Sequence, residues 1–290
     1  MTRKRRLGDR SDGRKLRTLD PMSRIAIFIM KDRNDALNYF SDSIDTEEMD
    51  RYIQKKRAEG LKGFGLMHVL LAAYVRTVSQ YPGLNRFISG QTIYARNKIV
   101  IALTMKKKME LNADETVIKQ EFAPDATAEE VFRSFYQLVE QNRKEEQSDF
   151  DGLVRILNYI PRLVLRGLVG FLKLLDYYGL LPGFLTNLSP FHASFFITSM
   201  GSLGIPPIYH HLYNFGNVPV FLSFGARRSE YVLQKDGSVQ KRWFLDMKFV
   251  LDERICDGHY YAAALKCIRR YLKNPEELDK RPEQIVEDVD

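Results

Sequence analysis

Asp252-Glu253-Arg254-Ile255-Cys256-Asp257-Gly258 marks the point where one periodicity stops and another starts. Residues 239–251 before it form a long β-type run, and residues 259–272 after it read as the closing helix. Upstream, Asp236-Gly237 is a tight-turn signal, because such a turn needs residues that tolerate positive φ. Residues 230–233 are therefore expected to pair back on the run as a hairpin. The heptapeptide thus stands at a strand-to-helix junction, with carboxylates at positions 252, 253 and 257 and a thiol at 256.

Outward from this junction the chain alternates helix and strand without a parallel βαβ rhythm. Residues 218–224 read as a strand. Residues 194–198 form a short apolar strand that runs into the glycine-bearing loop Ser199-Met200-Gly201-Ser202-Leu203-Gly204. Residues 66–80 repeat apolar side chains at helical spacing and stop at Tyr81-Pro82-Gly83. Strands are expected at 87–94, with Ser89-Gly90 inside, at 97–105 and at 116–122, and one begins near Asn38. Asp45 with Glu48, and Thr127 with Glu130, have capping-box spacing, so helices are predicted over 46–59, stopped by Gly60, and from 127 towards 147. The fold class is α/β (α+β, mixed sheet). No GxGxxG or GxxxxGK[ST] phosphate loop is present to indicate a dinucleotide or P-loop fold.

With 290 residues, 44% hydrophobic and 12% aromatic, the chain can bury one full core. Cys256 and Cys267 give neither a disulfide framework nor metal-ligand spacing, which favours a reduced, cytoplasmic setting with no metal. Nowhere do about 18 uncharged apolar residues run together, so no membrane-spanning helix is expected. The net charge of +7 is concentrated in Arg3, Lys4, Arg5, Arg6, Arg10, Arg14, Lys15 and Arg17. This divides the chain into a basic arm (1–21), a main domain (22–282) and an acidic tail (283–290). The arm has no aromatic residues to stack on bases, so no nucleic-acid partner is expected. It reads as a solvated arm, with attraction to anionic lipid as the alternative.

Residues 151–190 are an apolar insertion. Within 153–185, Arg162, Arg166 and Lys173 fall within about 40° of one another on a helix, beside a broad apolar face. Pro161 is expected to start this helix and Gly179 to end it. Such a helix can pack on a core or on a neighbouring subunit. It can also lie on an anionic membrane surface together with residues 1–20, making the protein peripheral at the membrane.

Several segments, in order, resemble the chloramphenicol acetyltransferase and dihydrolipoamide acyltransferase superfamily. The heptapeptide is similar to its His-x-x-x-Asp-Gly signature, with Glu253 at the histidine position. Gln80-Tyr81-Pro82-Gly83-Leu84-Asn85 resembles the Pro-x-Leu-Asn end of its core helix. Phe195-Phe196-Ile197-Thr198-Ser199-Met200-Gly201 resembles its Phe-Thr-Ile-Ser-Asn-x-Gly segment, and Arg270-Tyr271-Leu272-Lys273-Asn274-Pro275 its C-terminal helix ending. The resemblance implies a chloramphenicol acetyltransferase-like fold carrying the helical insertion, assembled as homotrimers with active sites between subunits. It also implies coenzyme A or lipoamide thioester as cosubstrate and no bound cofactor. In these terms Thr198 is the hydroxyl that donates to the oxyanion, and Asp257, beside Gly258, makes a structural ion pair with Arg24.

The glutamate changes the chemistry. An ordinary glutamate near pKa 4.3 facing a thiol near 8.5 is mismatched by roughly 4 units, about 6 kcal/mol, against ~2 units for a histidine. Burial of the carboxyl narrows that gap. His259, His210 or His211 can be imagined as a replacement base reaching the same channel, and otherwise read as helix-end and loop residues. Cys256 reads as a small buried apolar residue. Arg96-Asn97-Lys98 and Lys106-Lys107-Lys108 suit coenzyme A phosphates, or read as solvated strand ends. Two functions follow: acyl transfer or acyl binding at an inter-subunit site, or a catalytically inactive relative acting as a membrane-associated or scaffolding subunit.

Overall fold

The long run that ends at Asp252 becomes the spine of the main sheet. In the computed structural model, which describes residues 5–106, 115–144, 152 and 157–290, strands and helices are numbered in chain order. Strand β10 (Val239–Asp252) is antiparallel to β2 (Leu37–Asp45), β8 (Val220–Phe224) and β9 (Arg228–Leu233). Beyond β8 come β7 (Phe195–Ser199), β5 (Ile99–Lys106) and β6 (Glu115–Phe122), in the order β2-β10-β8-β7-β5-β6. β7 is parallel to both β8 and β5, and β6 is antiparallel to β5, so the sheet is mixed as the sequence indicates.

Alternation along the strands sorts the two faces. Phe195, Ile197, Val220, Leu222, Leu245, Met247 and Phe249 point into the larger core. Helices α2 (Glu47–Ala58), α3 (Leu66–Gln80), α4 (Ala128–Lys144) and α7 (Gly258–Lys273) cover that face. α3 is buried almost all round, which is why its sequence is apolar on every side. The opposite face carries Ala102, Phe196, Phe221 and Val250 under a thinner layer that includes Ala193, Leu212 and Val218.

Residues 87–94 form a hairpin and not one strand: β3 (Arg86–Ser89) and β4 (Thr92–Arg96) turn at Gly90 and Gln91, with φ of 54° and 53°. β4 also pairs with β1 (Gly13–Lys15), which belongs to the basic arm. The arm, from residue 5 on, is therefore folded onto the domain, contrary to the solvated reading. Arg10 is only 5% exposed and bonds Asp12, Ser89 Oγ and both the carbonyl and the carboxylate of Asp176. The acidic tail lies against the same segment. Asp290 pairs with Arg6, its carbonyl accepts from the Arg17 and Thr18 amides, and Asp288 pairs with Arg86. Opposite charges at the two termini neutralise each other here, and burying Arg10 requires the acids that surround it.

The capping box of Thr127 and Glu130 forms, each side chain accepting the other's amide. The one expected for Asp45 and Glu48 does not. Asp45 is still paired in β2, and its carboxylate is taken by the Glu47 amide and Arg242. In the insertion, α5 (Arg162–Tyr177) starts after Pro161 and is closed by Gly179 at φ 70°, and a short α6 (Gly183–Leu188) follows. No helix among the described residues is long and apolar enough to cross a membrane.

Candidate active site

Asp252 fixes the junction. It is 1% exposed, and its carboxylate accepts from Arg254 Nε at 2.9 Å and Nη2 at 2.8 Å and from Arg33 Nε at 3.2 Å. Arg33 continues to the carbonyls of Tyr213 and Gly216, and Arg254 to that of Lys31. The Asp252 carbonyl accepts the Tyr261 hydroxyl at 2.7 Å. A buried carboxylate must be paired, and this one ties the end of β10 to the segment before β2 and to the loop before β8.

The ion pair implied for Asp257 and Arg24 is not formed. Asp257 is exposed and caps α7, its Oδ1 accepting the Tyr260 amide at 2.7 Å. Its charge is satisfied by the helix N-terminus. Arg24 is exposed on α1 (Pro21–Ile29), and its amide donates to the Asp20 carbonyl. The structural ion pair of the motif belongs instead to Asp252, five residues earlier, because that is the aspartate the core encloses. Gly258 is the first residue of α7, in open space.

Glu253 follows in the turn. Its amide donates to the Ala36 carbonyl at 2.8 Å, while its side chain is exposed and makes no hydrogen bond or ion pair among the described residues. Thr198 is 9% exposed on β7 and faces the thinly covered side of the sheet with Phe196. In register, Thr198 lies beside Ser223, which lies beside Lys248. Glu253 is five residues beyond Lys248 along the spine. Two strand spacings and five residues of rise separate the Cα atoms of Glu253 and Thr198 by about 19 Å. One copy of the chain cannot bring them to a common substrate atom. Two clefts, of about 810 Å³ between the arm and the tail and about 400 Å³ beside β2 and α7, are lined by neither residue.

Of the histidines, His210 shares the Thr198 face. Its ring stacks on Phe221 at 4.5 Å, and its Nε2 is buried without a partner. Burial lowers its pKa, so it is held neutral. His211 is exposed against Tyr213, and His259 is exposed in the first turn of α7. Cys256 is 8% exposed, and burial pushes its thiol up to about 12, which makes it inert at neutral pH.

Arg96 is not a solvated strand end: it stacks over Phe87 at 4.4 Å and bonds Asn217 Oδ1 at 2.7 Å, and burial pulls it down to about 10. Lys98 does face solvent, paired with Glu121. Lys107 and Lys108 lie outside the described residues, and the side chain of Lys106 is not described.

Residues 191–279 match the family model of the 2-oxoacid dehydrogenases acyltransferase (catalytic domain). Among solved structures, the chain is similar to a probable dihydrolipoamide acetyltransferase from Listeria monocytogenes, at 16% identity and TM-score 0.57, covering 94% of this chain and 99% of that one. It is similar to the Azotobacter vinelandii dihydrolipoamide acetyltransferase at 14% identity and TM-score 0.57, covering 90% and 93%. That enzyme was investigated for the role of a serine, a histidine and an asparagine in its catalytic mechanism. A chloramphenicol acetyltransferase follows at 14% identity and TM-score 0.54, covering 90% and 100%. The chain has the chloramphenicol acetyltransferase-like acyltransferase fold. The resemblance carried by the sequence motifs therefore holds. No curated protein sequence matches.

Several residues on the Thr198 face of this acyltransferase fold escaped the sequence reading. Ser223 Oγ accepts the Ile208 amide, Lys248 Nζ bonds Ser41 Oγ and sits 4.8 Å over the Tyr209 ring, and Tyr209 packs edge-on against Tyr39. The signal was available in Lys248, a cation on the same face as Val250 in an alternating run.

Proposed function

We propose that this chain is a thioester-dependent acyltransferase whose site forms only between copies, as a homotrimer. Thr198 of one copy donates to the oxyanion, and Glu253 of the next is the proton acceptor. The supporting observation is the separation of about 19 Å between these residues within one chain, combined with the exposed side chain of Glu253. The β9–β10 hairpin adds to it. It carries Tyr231 (77% exposed), Leu233 (71%) and Trp243 (46%), apolar surface that a second copy would cover. Two of the similar structures are named for dihydrolipoamide, so a dihydrolipoamide-type thiol or coenzyme A is the first acceptor or donor to try.

In the proposed reaction the acceptor thiol or hydroxyl gives its proton to Glu253 as its sulfur or oxygen bonds to the thioester carbonyl carbon. The carbonyl oxygen becomes an oxyanion facing the Thr198 hydroxyl. Collapse breaks the C–S bond, and the departing thiolate recovers the proton from Glu253.

Acetyl transfer from acetyl-CoA to a panel of thiols and hydroxyls, dihydrolipoamide included, tests this. Thr198→Ala is expected to lower the rate about 100-fold or more and Glu253→Gln by a similar factor. Equal background rates in all three proteins would reject acyl transfer to those acceptors and leave the non-catalytic reading. Loss of activity in His210→Gln with retention in Glu253→Gln would move the base to His210.

A further inference from the structure

We infer that α5 is a lipid-docking helix that seats the chain on an anionic membrane surface, independently of the acyl-transfer site. Its inward line is Leu165, Leu168, Leu172 and Leu175, all half-buried, with Asp176 at 9% exposure. The remaining faces are turned to solvent and are not the polar surface expected of a helix packed on a core. Leu163 is 80% exposed, and Val164, Phe171, Leu174 and Tyr178 are all more than half exposed. At ~100° per residue these five span an arc of about 100°. Phe184 of α6 is likewise 69% exposed.

Charge decides the occupant. Arg162, Arg166 and Lys173 are exposed and lie within about 40° of one another along one border of this arc. The one acid in α5 is Asp176, and it is withdrawn into the protein, where Arg10 binds it at 2.8 Å and His192 faces it at 3.4 Å. The exposed side of the helix therefore carries positive charge alone. A second copy docked face to face by two-fold symmetry would set each cationic stripe against the same helix of its partner, with no acid to answer it. A sheet of lipid phosphates over acyl chains meets both halves of the pattern: the stripe at the headgroups, the leucines and phenylalanines beneath them. The basic arm does not contribute through Arg6, Arg10, Arg14 or Arg17, since these are occupied by Asp290, Asp176, the carbonyls of residues 288–289 and Asp9.

The test is co-sedimentation of the full chain with vesicles of equimolar phosphatidylcholine and phosphatidylglycerol, against vesicles of phosphatidylcholine alone. The wild type is expected to bind the anionic vesicles and to be released progressively by salt. Arg162→Gln, Arg166→Gln and Lys173→Gln together should lower the partition coefficient about 100-fold. Leu163→Ser with Phe171→Ser should leave the protein in the supernatant, and because all five positions are exposed, circular dichroism melts should match the wild type. Wild-type protein that stays in the supernatant overturns the inference, as does charge-independent binding or binding unchanged by either variant. Self-association without lipid that disappears in the Leu163→Ser, Phe171→Ser protein assigns the face to a second copy and also overturns it.

Discussion

Asp252→Asn is the substitution that most sharply separates the structural aspartate of the motif from its neighbour. The change keeps size and shape but removes the charge that holds two guanidinium groups, each with a side chain 5% exposed, at 2.8 Å and 3.2 Å. It also puts an amide NH2 where the carboxylate accepts from Arg254 Nε, Arg254 Nη2 and Arg33 Nε. Removing one partner of a buried pair costs about 3–5 kcal/mol, since the other charge stays buried and uncompensated. That is a large part of a typical total of about 5–15 kcal/mol. Asp257→Asn, at an exposed helix cap where asparagine serves nearly as well, is expected to cost under about 0.5 kcal/mol. Urea unfolding at fixed protein concentration, followed by the fluorescence of the single tryptophan Trp243, measures both. A loss below about 1 kcal/mol for Asp252→Asn, or a larger loss for Asp257→Asn, would refute the assignment.

Three further outcomes are expected. Glu253→His, which supplies a base better matched to a thiol, should raise acetyl transfer at neutral pH by about 100-fold, and an unchanged or lower rate would show that position 253 is not the base seat. His68, half-buried among Phe64, Phe132 and Phe135 with Nδ1 accepting the Gly65 amide, is lowered by desolvation to about 4. Because the unfolded chain takes up this proton first, near pH 6.5, the stability present above that pH falls as pH drops towards 4. The loss is about 2 kcal/mol between pH 7 and 5. Comparing urea midpoints at the two pH values for the wild type and His68→Asn checks it, and an equal pH dependence in both would count against it. Gly90→Ala would set a Cβ 2.2 Å from the Tyr177 carbonyl oxygen at a backbone φ of 54°. It should destabilise by at least about 2 kcal/mol and speed proteolysis of the insertion, whereas wild-type cleavage kinetics would contradict the contact.

The sheet and most of its helices were legible because alternation and capping are local. The 239–251 run, the Asp236-Gly237 turn and the Thr127–Glu130 box each act within a few residues and each formed. What depended on distant partners was not legible. The hairpin at Gly90 turns where the end of α5 approaches it, and nothing near residue 90 announces residue 177. The basic arm looked solvated because its acids are supplied by Asp176 and by the last residues of the chain. For the same reason the resemblance points to Asp257 as the ion-paired aspartate. The motif shows the acids, but burial, set by the segments around Arg33 and Gly216, decides which one is enclosed. Thr198 and Glu253 could each be named from sequence, yet their separation follows only from strand register.

Subunit complementation tests the inter-subunit site most directly. Thr198→Ala and Glu253→Gln chains, each carrying a different affinity tag, would be co-expressed, doubly purified and assayed for acetyl transfer. A junction that draws its hydroxyl from one copy and its carboxylate from the next predicts recovery of up to about a third of wild-type activity, since each doubly purified mixed trimer holds one intact junction of three, from two proteins that are each inactive alone. Mixed oligomers as inactive as either parent would contradict the account.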